Sequence, residues 1–119
     1  MSHAVDITEL RTALDHYGAH AFLLTTNDEG RPHVSHITVE LAGGVLSCDA
    51  GRKTGANAAV RPKVSLLWPA PQPGGFSLIV DGEATLVDDR LRIAPTGAIR
   101  HRPASTSGCD VDCEPLSGE

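Results

Sequence analysis

The residues with the most readily named chemistry lie together in residues 51–57. This segment carries Arg52, Lys53 and the hydroxyl of Thr54, at the point where a strand is predicted to end and a helix to begin. Free backbone amides and the helix dipole already favour an anion at such a junction. Guanidinium and ammonium groups form charge-assisted hydrogen bonds with phosphate oxygens, so the segment predicts a phosphate-binding site.

Two more cations follow at the far end of the same predicted helix. Arg61 and Lys63 bring the number of basic residues within these dozen positions to four of the ten in a chain of net charge -5. The residues alone leave a second interpretation open. In it, the segment is a solvated helix whose charges are balanced by Asp49 and other nearby acids.

The histidines and the first cysteine are weaker candidates for chemistry. His33 and His36 are three residues apart on a predicted strand, so they lie on opposite faces and do not bind one metal ion together. Either can contact a ligand or donate a proton, but a partly exposed histidine without a chemical role is the more common case. Cys48 is interpreted as a small core residue, because a free cysteine packs like an apolar side chain.

The end of the chain carries the other two cysteines, Cys109 and Cys113. Their C-x₃-C spacing is not a standard zinc pattern. On a helix the two thiols would share a face and could join His101 or a carboxylate at a metal, and a disulfide or a pairing between two copies is also open. A functionally silent or redox-variable tail is the favoured interpretation, and no metal site is predicted.

Composition narrows the class of partner. The net charge of -5 and the pI near 5.6 argue against a general nucleic-acid binder, which needs a basic face. No long apolar run and no charged-then-apolar leader is visible, so no membrane partner is expected and a cytoplasmic location is predicted. Hydrolysis and phosphoryl transfer have no support, since no serine-nucleophile motif, catalytic carboxylate pair or Walker-type loop is present.

The length of 119 residues fits one domain, which we predict to span residues 1–103, with an irregular tail over residues 104–119. Apolar spacing over residues 6–17 predicts a helix that Gly18 ends. A second short helix is predicted over residues 52–60, where the chain is rich in alanine and is followed by Pro62.

Apolar alternation and turn residues indicate the strands. Six are predicted, over residues 21–26, 33–41, 45–48, 64–68 and 76–87, and from residue 91 onward. Most of the connections between them have the length of hairpin turns. The sequence therefore predicts a closed or nearly closed antiparallel barrel, a mainly β (α+β) fold with two short helices.

Several short motifs follow one another in a specific order between residues 5 and 93. They are FLLTT at 22–26, DEGRPHV at 28–34, GRK at 51–53, Asn57, RPKVSL at 61–66 and VDGEA at 80–84. In order and spacing they resemble the pyridoxamine phosphate oxidase-like family of flavin-binding split barrels. The resemblance implies a six-stranded antiparallel split barrel, a homodimer, and a cofactor in a groove between the subunits.

The resemblance also implies which residues bind the cofactor phosphate. Arg52 and Lys53 are the implied phosphate ligands, and Thr54 and Asn57 belong to the same cofactor-binding segment.

The rest of the cofactor is implied to lie along two strands. The strand that carries Ser35, His36 and Ile37 is implied to run beside the isoalloxazine ring. Ser47 and Cys48 are implied to face the ribityl chain.

Two functions of different class follow from this resemblance. The first is an oxidoreductase that depends on FMN or on the deazaflavin coenzyme and acts on a small-molecule substrate, with the cofactor supplying the electron or hydride chemistry. FMN and deazaflavin both present a phosphate and a tricyclic ring, so the sequence does not separate them. The alternative is a non-catalytic binding or carrier protein on the same fold that holds flavin or haem, with His33, His36 or His20 as a candidate axial ligand.

Overall fold

The computed structural model describes residues 2–103, so the predicted tail with Cys109 and Cys113 lies outside the described residues. Two helices are present, α1 (Leu10–Tyr17), preceded by a 3-10 turn (Ile7–Glu9), and α2 (Arg52–Val60). The strands are β1 (Ser2–Val5), β2 (His20–Thr26), β3 (Pro32–Thr38), β4 (Glu40–Ala42), β5 (Val45–Asp49), β6 (Lys63–Trp68), β7 (Ser77–Val87) and β8 (Arg90–His101). No helix within residues 2–103 is long and apolar enough to cross a membrane.

The strands form one antiparallel sheet that curls into a half-barrel, in the order β3-β2-β6-β7-β8-β5-β4, with β1 paired to β8. The predicted mainly β class with two short helices is confirmed. Eight strands are present where six were predicted, for two reasons. The short β1 pairs with the end of β8, and the predicted strand over residues 33–41 divides at Val39.

The division at Val39 produces the seam of the half-barrel. Val39 is buried, and its backbone N–H donates to the carbonyl of Ala19. Before it, β3 pairs with β2, and after it, β4 pairs with β5. The two edges of the sheet are therefore consecutive in the chain, and β3 lies beside β5 without pairing to it in the described residues.

The inner face of the sheet holds a dry aliphatic core. Along β7, Leu78, Val80 and Ala84 are buried while Asp81 and Glu83 are exposed, which confirms the predicted alternation. Other fully buried side chains come from neighbouring strands and include Leu23, Leu66, Trp68, Leu91 and Ile93. The core needs no contribution from a ligand, because these strands fill it themselves.

The long β7–β8 hairpin contains one irregularity that the sequence explains. The register shifts between Asp81 and Gly82, opposite Pro95, which has no N–H for the ladder. Gly82 is buried, and a Cβ atom there would lie 2.6 Å from Ile93 Cγ2 and 2.8 Å from the Ala94 carbonyl oxygen. Only glycine fits at this close approach of the two strands.

The outer face of the sheet carries a row of apolar side chains across four strands. Phe22 is opposite Leu67, Leu67 is opposite Ile79, and Ile79 is opposite Ile99. Phe22, Leu67 and Ile79 are half-buried, and Ile99 is exposed. We call these four residues the outer apolar row. It leaves apolar surface in solvent on the side of the sheet opposite the core.

Candidate functional site

Arg52 and Lys53 are the first two residues of α2, and both side chains are exposed. The helix is preceded by Gly51 in an extended conformation, with no side chain capping the helix start. The amides of the first helical turn have no partner within the helix and carry its positive dipole end. We call Arg52, Lys53 and these amides the cationic corner.

The nearest acid along the chain does not neutralise the cationic corner. Asp49 accepts a hydrogen bond of 2.7 Å from Arg90 Nη1, and Arg90 Nη2 lies 2.8 Å from Glu40 Oε1. Within residues 2–103, neither Arg52 nor Lys53 has a carboxylate within ion-pair distance. The interpretation in which Asp49 balances these cations is therefore wrong for Asp49.

Two polar contacts hold α2 against β2 and β3. The Thr54 hydroxyl lies 2.6 Å from the Ser35 hydroxyl, and Asn57 Nδ2 donates to Thr25 Oγ1 at 3.2 Å. Thr54 and Thr25 are buried, so both hydrogen bonds lie largely away from water. A helix fixed in this way places the cationic corner next to the middle of β3.

A groove lies along the seam between β3 and β5. It has a volume of about 280 Å³ and is lined by His36, Ile37, Thr38, Glu40, Asp49 and Arg90; we call it the seam groove. His36 stacks on Phe22, with ring centroids 4.9 Å apart and planes 25° from parallel. The seam groove and the cationic corner are adjacent, because Asp49 is three residues before Arg52.

The structure brings most of the predicted site residues to this region. Ser35 contacts α2 through Thr54, and His36 and Ile37 line the seam groove. Ser47 accepts a hydrogen bond of 3.2 Å from Arg90, which borders the groove.

Cys48 is placed differently from its neighbour Ser47. Its side chain is 1% exposed and belongs to the core cluster, as expected for a small core residue. Burial raises the pKa of the Cys48 thiol, and the positive charge of Arg90 offsets this only in part. Cys48 does not line the seam groove.

His33 and His36 point to opposite faces of β3, as predicted from their spacing. His33 is half-buried on the face of Ser35, and its Nδ1 atom is buried with no hydrogen-bond partner in the described chain. His36 is exposed on the other face, 5.9 Å from the ring of His20.

Sequence reasoning missed the arginine that organises the seam groove. Arg90 contacts Asp49 and Glu40, which are 41 and 50 residues away in the chain. Contacts of this kind leave no local pattern in the sequence. The one available signal was the register of β5 against β8, which places Arg90 opposite Asp49.

The geometry defines a class of protein, a split antiparallel half-barrel with a cationic helix start beside its seam. A sequence model of the family described as pyridoxamine 5'-phosphate oxidase matches residues 8–101, which is most of the chain. The chain therefore belongs to the pyridoxamine 5'-phosphate oxidase family, and the resemblance found in the sequence is confirmed.

Similar proteins include one relative in sequence and solved structures with the same fold. An uncharacterized protein of Mycobacterium bovis is 36% identical over 132 residues, which cover 92% of each chain. The FAD binding protein of Mycobacterium smegmatis has a TM-score of 0.63 at 23% identity, over 86% of this chain and 100% of that chain. An F420 reductase has a TM-score of 0.56 at 20% identity, over 67% of this chain and 88% of that chain. At these identities the two structures establish a shared fold.

Proposed function

We propose that this chain is an oxidoreductase that binds a phosphorylated flavin-type cofactor. The cofactor phosphate is bound at the cationic corner, and the ring lies in the seam groove. The observation that carries the proposal is the state of Arg52 and Lys53, two permanent cations at the positive end of a helix without a carboxylate partner in the described chain. Such a corner costs helix stability unless an anion binds it.

The residues around the corner fit a bound flavin. Thr54, Asn57 and Ser35 fix the start of α2 against the strands, so Arg52 and Lys53 are held beside β3. His36 and Ile37 border the ring, and Arg90 presents a guanidinium held by two carboxylates. When bound, the flavin supplies the hydride or electron chemistry, while the chain binds and orients it.

A single phosphate, as in FMN, fits the corner better than a longer polyanionic tail. A tail would need further cations within reach of Arg52, and Arg61 is the next one along α2. Arg61 lies just past the last residue of α2, with its Nη1 2.7 Å from Asp28 Oδ1. We therefore propose FMN as the cofactor, with the deazaflavin coenzyme as the competing ligand in the titration below.

A second copy of the chain completes the site in this proposal. At about 280 Å³ the seam groove is smaller than most pockets that enclose a ligand of flavin size, which have volumes of about 300–1,000 Å³. The outer apolar row is the surface on which a twin subunit would pack, because its four side chains are apolar and incompletely buried. The proposed assembly is a homodimer with the cofactor between its subunits.

A charge-reversal titration tests the phosphate contact. The purified protein and the variant Arg52→Glu/Lys53→Glu are titrated with FMN and with the deazaflavin coenzyme, followed by absorbance and fluorescence. We expect the FMN affinity to fall by at least about a hundredfold, roughly tenfold for each lost charge-assisted contact. Arg31→Glu, in the exposed β2–β3 turn, is the matched control and should bind FMN as the native chain does. Equal affinity of the native chain and the double variant would remove the proposed site.

The oligomeric state tests the twin subunit. Ile79→Lys places a charge in the centre of the outer apolar row, and light scattering after size exclusion should show a monomer, because a buried charge without a partner is unfavourable. Thr85→Lys, an exposed residue further along β7, is the control and should remain a dimer. A native monomer would contradict this part of the proposal.

A further inference from the structure

A second cluster of aromatic and cationic side chains lies where α1, the connection over residues 69–76 and the end of β8 meet. Phe76 is at its centre. The guanidinium carbon of Arg100 is 5.4 Å from the Phe76 ring centroid, that of Arg102 is 4.7 Å away, and the His3 ring centroid is 5.3 Å away. Positive groups at these distances interact favourably with the ring.

The aromatic part of this cluster is fixed to the body of the protein. The Tyr17 hydroxyl donates a hydrogen bond of 2.8 Å to the Phe76 carbonyl oxygen. Tyr17 is the last residue of α1 and packs against the core cluster. The two rings therefore hold their relative positions without help from a ligand.

Two hollows open beside this cluster, and both are lined by His16, Tyr17 and Arg100. The first, of about 320 Å³, also has Glu9 in its wall. The second, of about 240 Å³, is completed by Pro71, Gln72, Gly75 and Phe76, and none of its lining residues is acidic. We call the second one the Phe76 hollow. It shares no lining residue with the seam groove.

Arg100 supplies the charge of the Phe76 hollow. Its guanidinium forms no ion pair with a carboxylate within residues 2–103. A guanidinium that borders an acid-free hollow beside two rings offers a bidentate contact to an anion and a flat apolar wall to the rest of the molecule. Gln72 adds an amide that can donate or accept a hydrogen bond.

We propose that the Phe76 hollow is a second binding site, for a small aromatic anion. Arg100 binds the carboxylate or phosphate of the ligand, and the ligand ring lies against Tyr17 and Phe76. The volume of about 240 Å³ suits a substituted benzene better than a dinucleotide. This site is independent of the proposed cofactor site, so either can be disproved without the other.

A titration of the ¹⁵N-labelled full-length protein tests the site. The probes are benzoate, phenyl phosphate and the neutral benzamide. We expect both anions to cause saturable amide shifts at Tyr17, Gly75 and Phe76, and benzamide to bind at least about tenfold more weakly. The tighter of the two anions identifies whether a carboxylate or a phosphate ester is the preferred group. Absence of saturable shifts at these three residues, or equal binding of benzamide, would overturn the proposal.

Two variants separate the site from general charge attraction. Arg100→Gln should weaken benzoate or phenyl phosphate binding at the hollow by about tenfold. Arg92→Gln, which removes an exposed arginine from the same strand, should change it by less than about twofold. Shifts at residues 52–54 report the cationic corner and are read separately. Binding at Gly75 and Phe76 that is unchanged in Arg100→Gln would contradict the assignment.

Discussion

The two ends of α2 carry the same kind of charge in opposite circumstances. Arg61 follows the last residue of the helix, where the negative end of the dipole favours a cation, and it pairs with Asp28. Arg52 and Lys53 are at the first turn, where the dipole disfavours a cation, and in the described chain they have no carboxylate partner. A cation at the favourable end contributes to stability, whereas cations at the unfavourable end are explained by binding an anion.

The hydrogen bond between Thr54 and Ser35 gives the largest expected effect on stability. A double-mutant cycle with Thr54→Val and Ser35→Ala should give a coupling free energy of about 0.5–1.5 kcal/mol in urea unfolding, because the pair is partly buried. Because this contact fixes the start of α2, Thr54→Val should also weaken FMN binding. A coupling energy near zero would mean that the contact does not hold the helix against β3.

Arg61→Gln tests the stabilising end of the helix. The side chains of Arg61 and Asp28 are 39% and 87% exposed, so the pair is screened by water and its loss should cost about 0.2–1 kcal/mol of unfolding free energy. The FMN affinity should stay within about twofold of the native value. A tenfold loss of FMN affinity would show that both ends of α2 act on the ligand.

Arg52→Gln should have the smallest effect on stability, and in the opposite direction. Removing a cation from the first turn relieves an unfavourable interaction with the dipole, so the ligand-free protein should gain about 0.3–1 kcal/mol. Thermal unfolding without and with FMN measures both sides of the comparison, because bound ligand should stabilise the native chain more than the variant. A loss of stability in the ligand-free variant would give Arg52 a structural role.

The parts of the molecule that the sequence predicted are those with local causes. Gly18 ends α1 with a positive φ of 91°, and the alternation along β7 sorts Leu78 and Val80 inward from Asp81 and Glu83. The segment with Arg52 and Lys53 starts a helix where the sequence indicated one. Each of these features is encoded within a few neighbouring residues.

The parts that were missed depend on partners far along the chain. The strand Ser2–Val5 forms because β8 extends to His101 and offers it an edge. Val39 interrupts a regular alternating pattern because the chain passes there from one edge of the sheet to the other. The contacts of Arg90 with Glu40 and Asp49 likewise join three strands that only the curled sheet brings together.

The central claim is tested most directly by comparing FMN with riboflavin, which has the same ring and ribityl chain but no phosphate. Both are titrated into the native chain and into Arg52→Glu/Lys53→Glu. We predict that the native chain binds FMN at least about a hundredfold more tightly than riboflavin, and that the variant binds the two about equally. Equal affinity of the native chain for both, or a preference for FMN that survives charge reversal, would contradict phosphate binding at the start of α2.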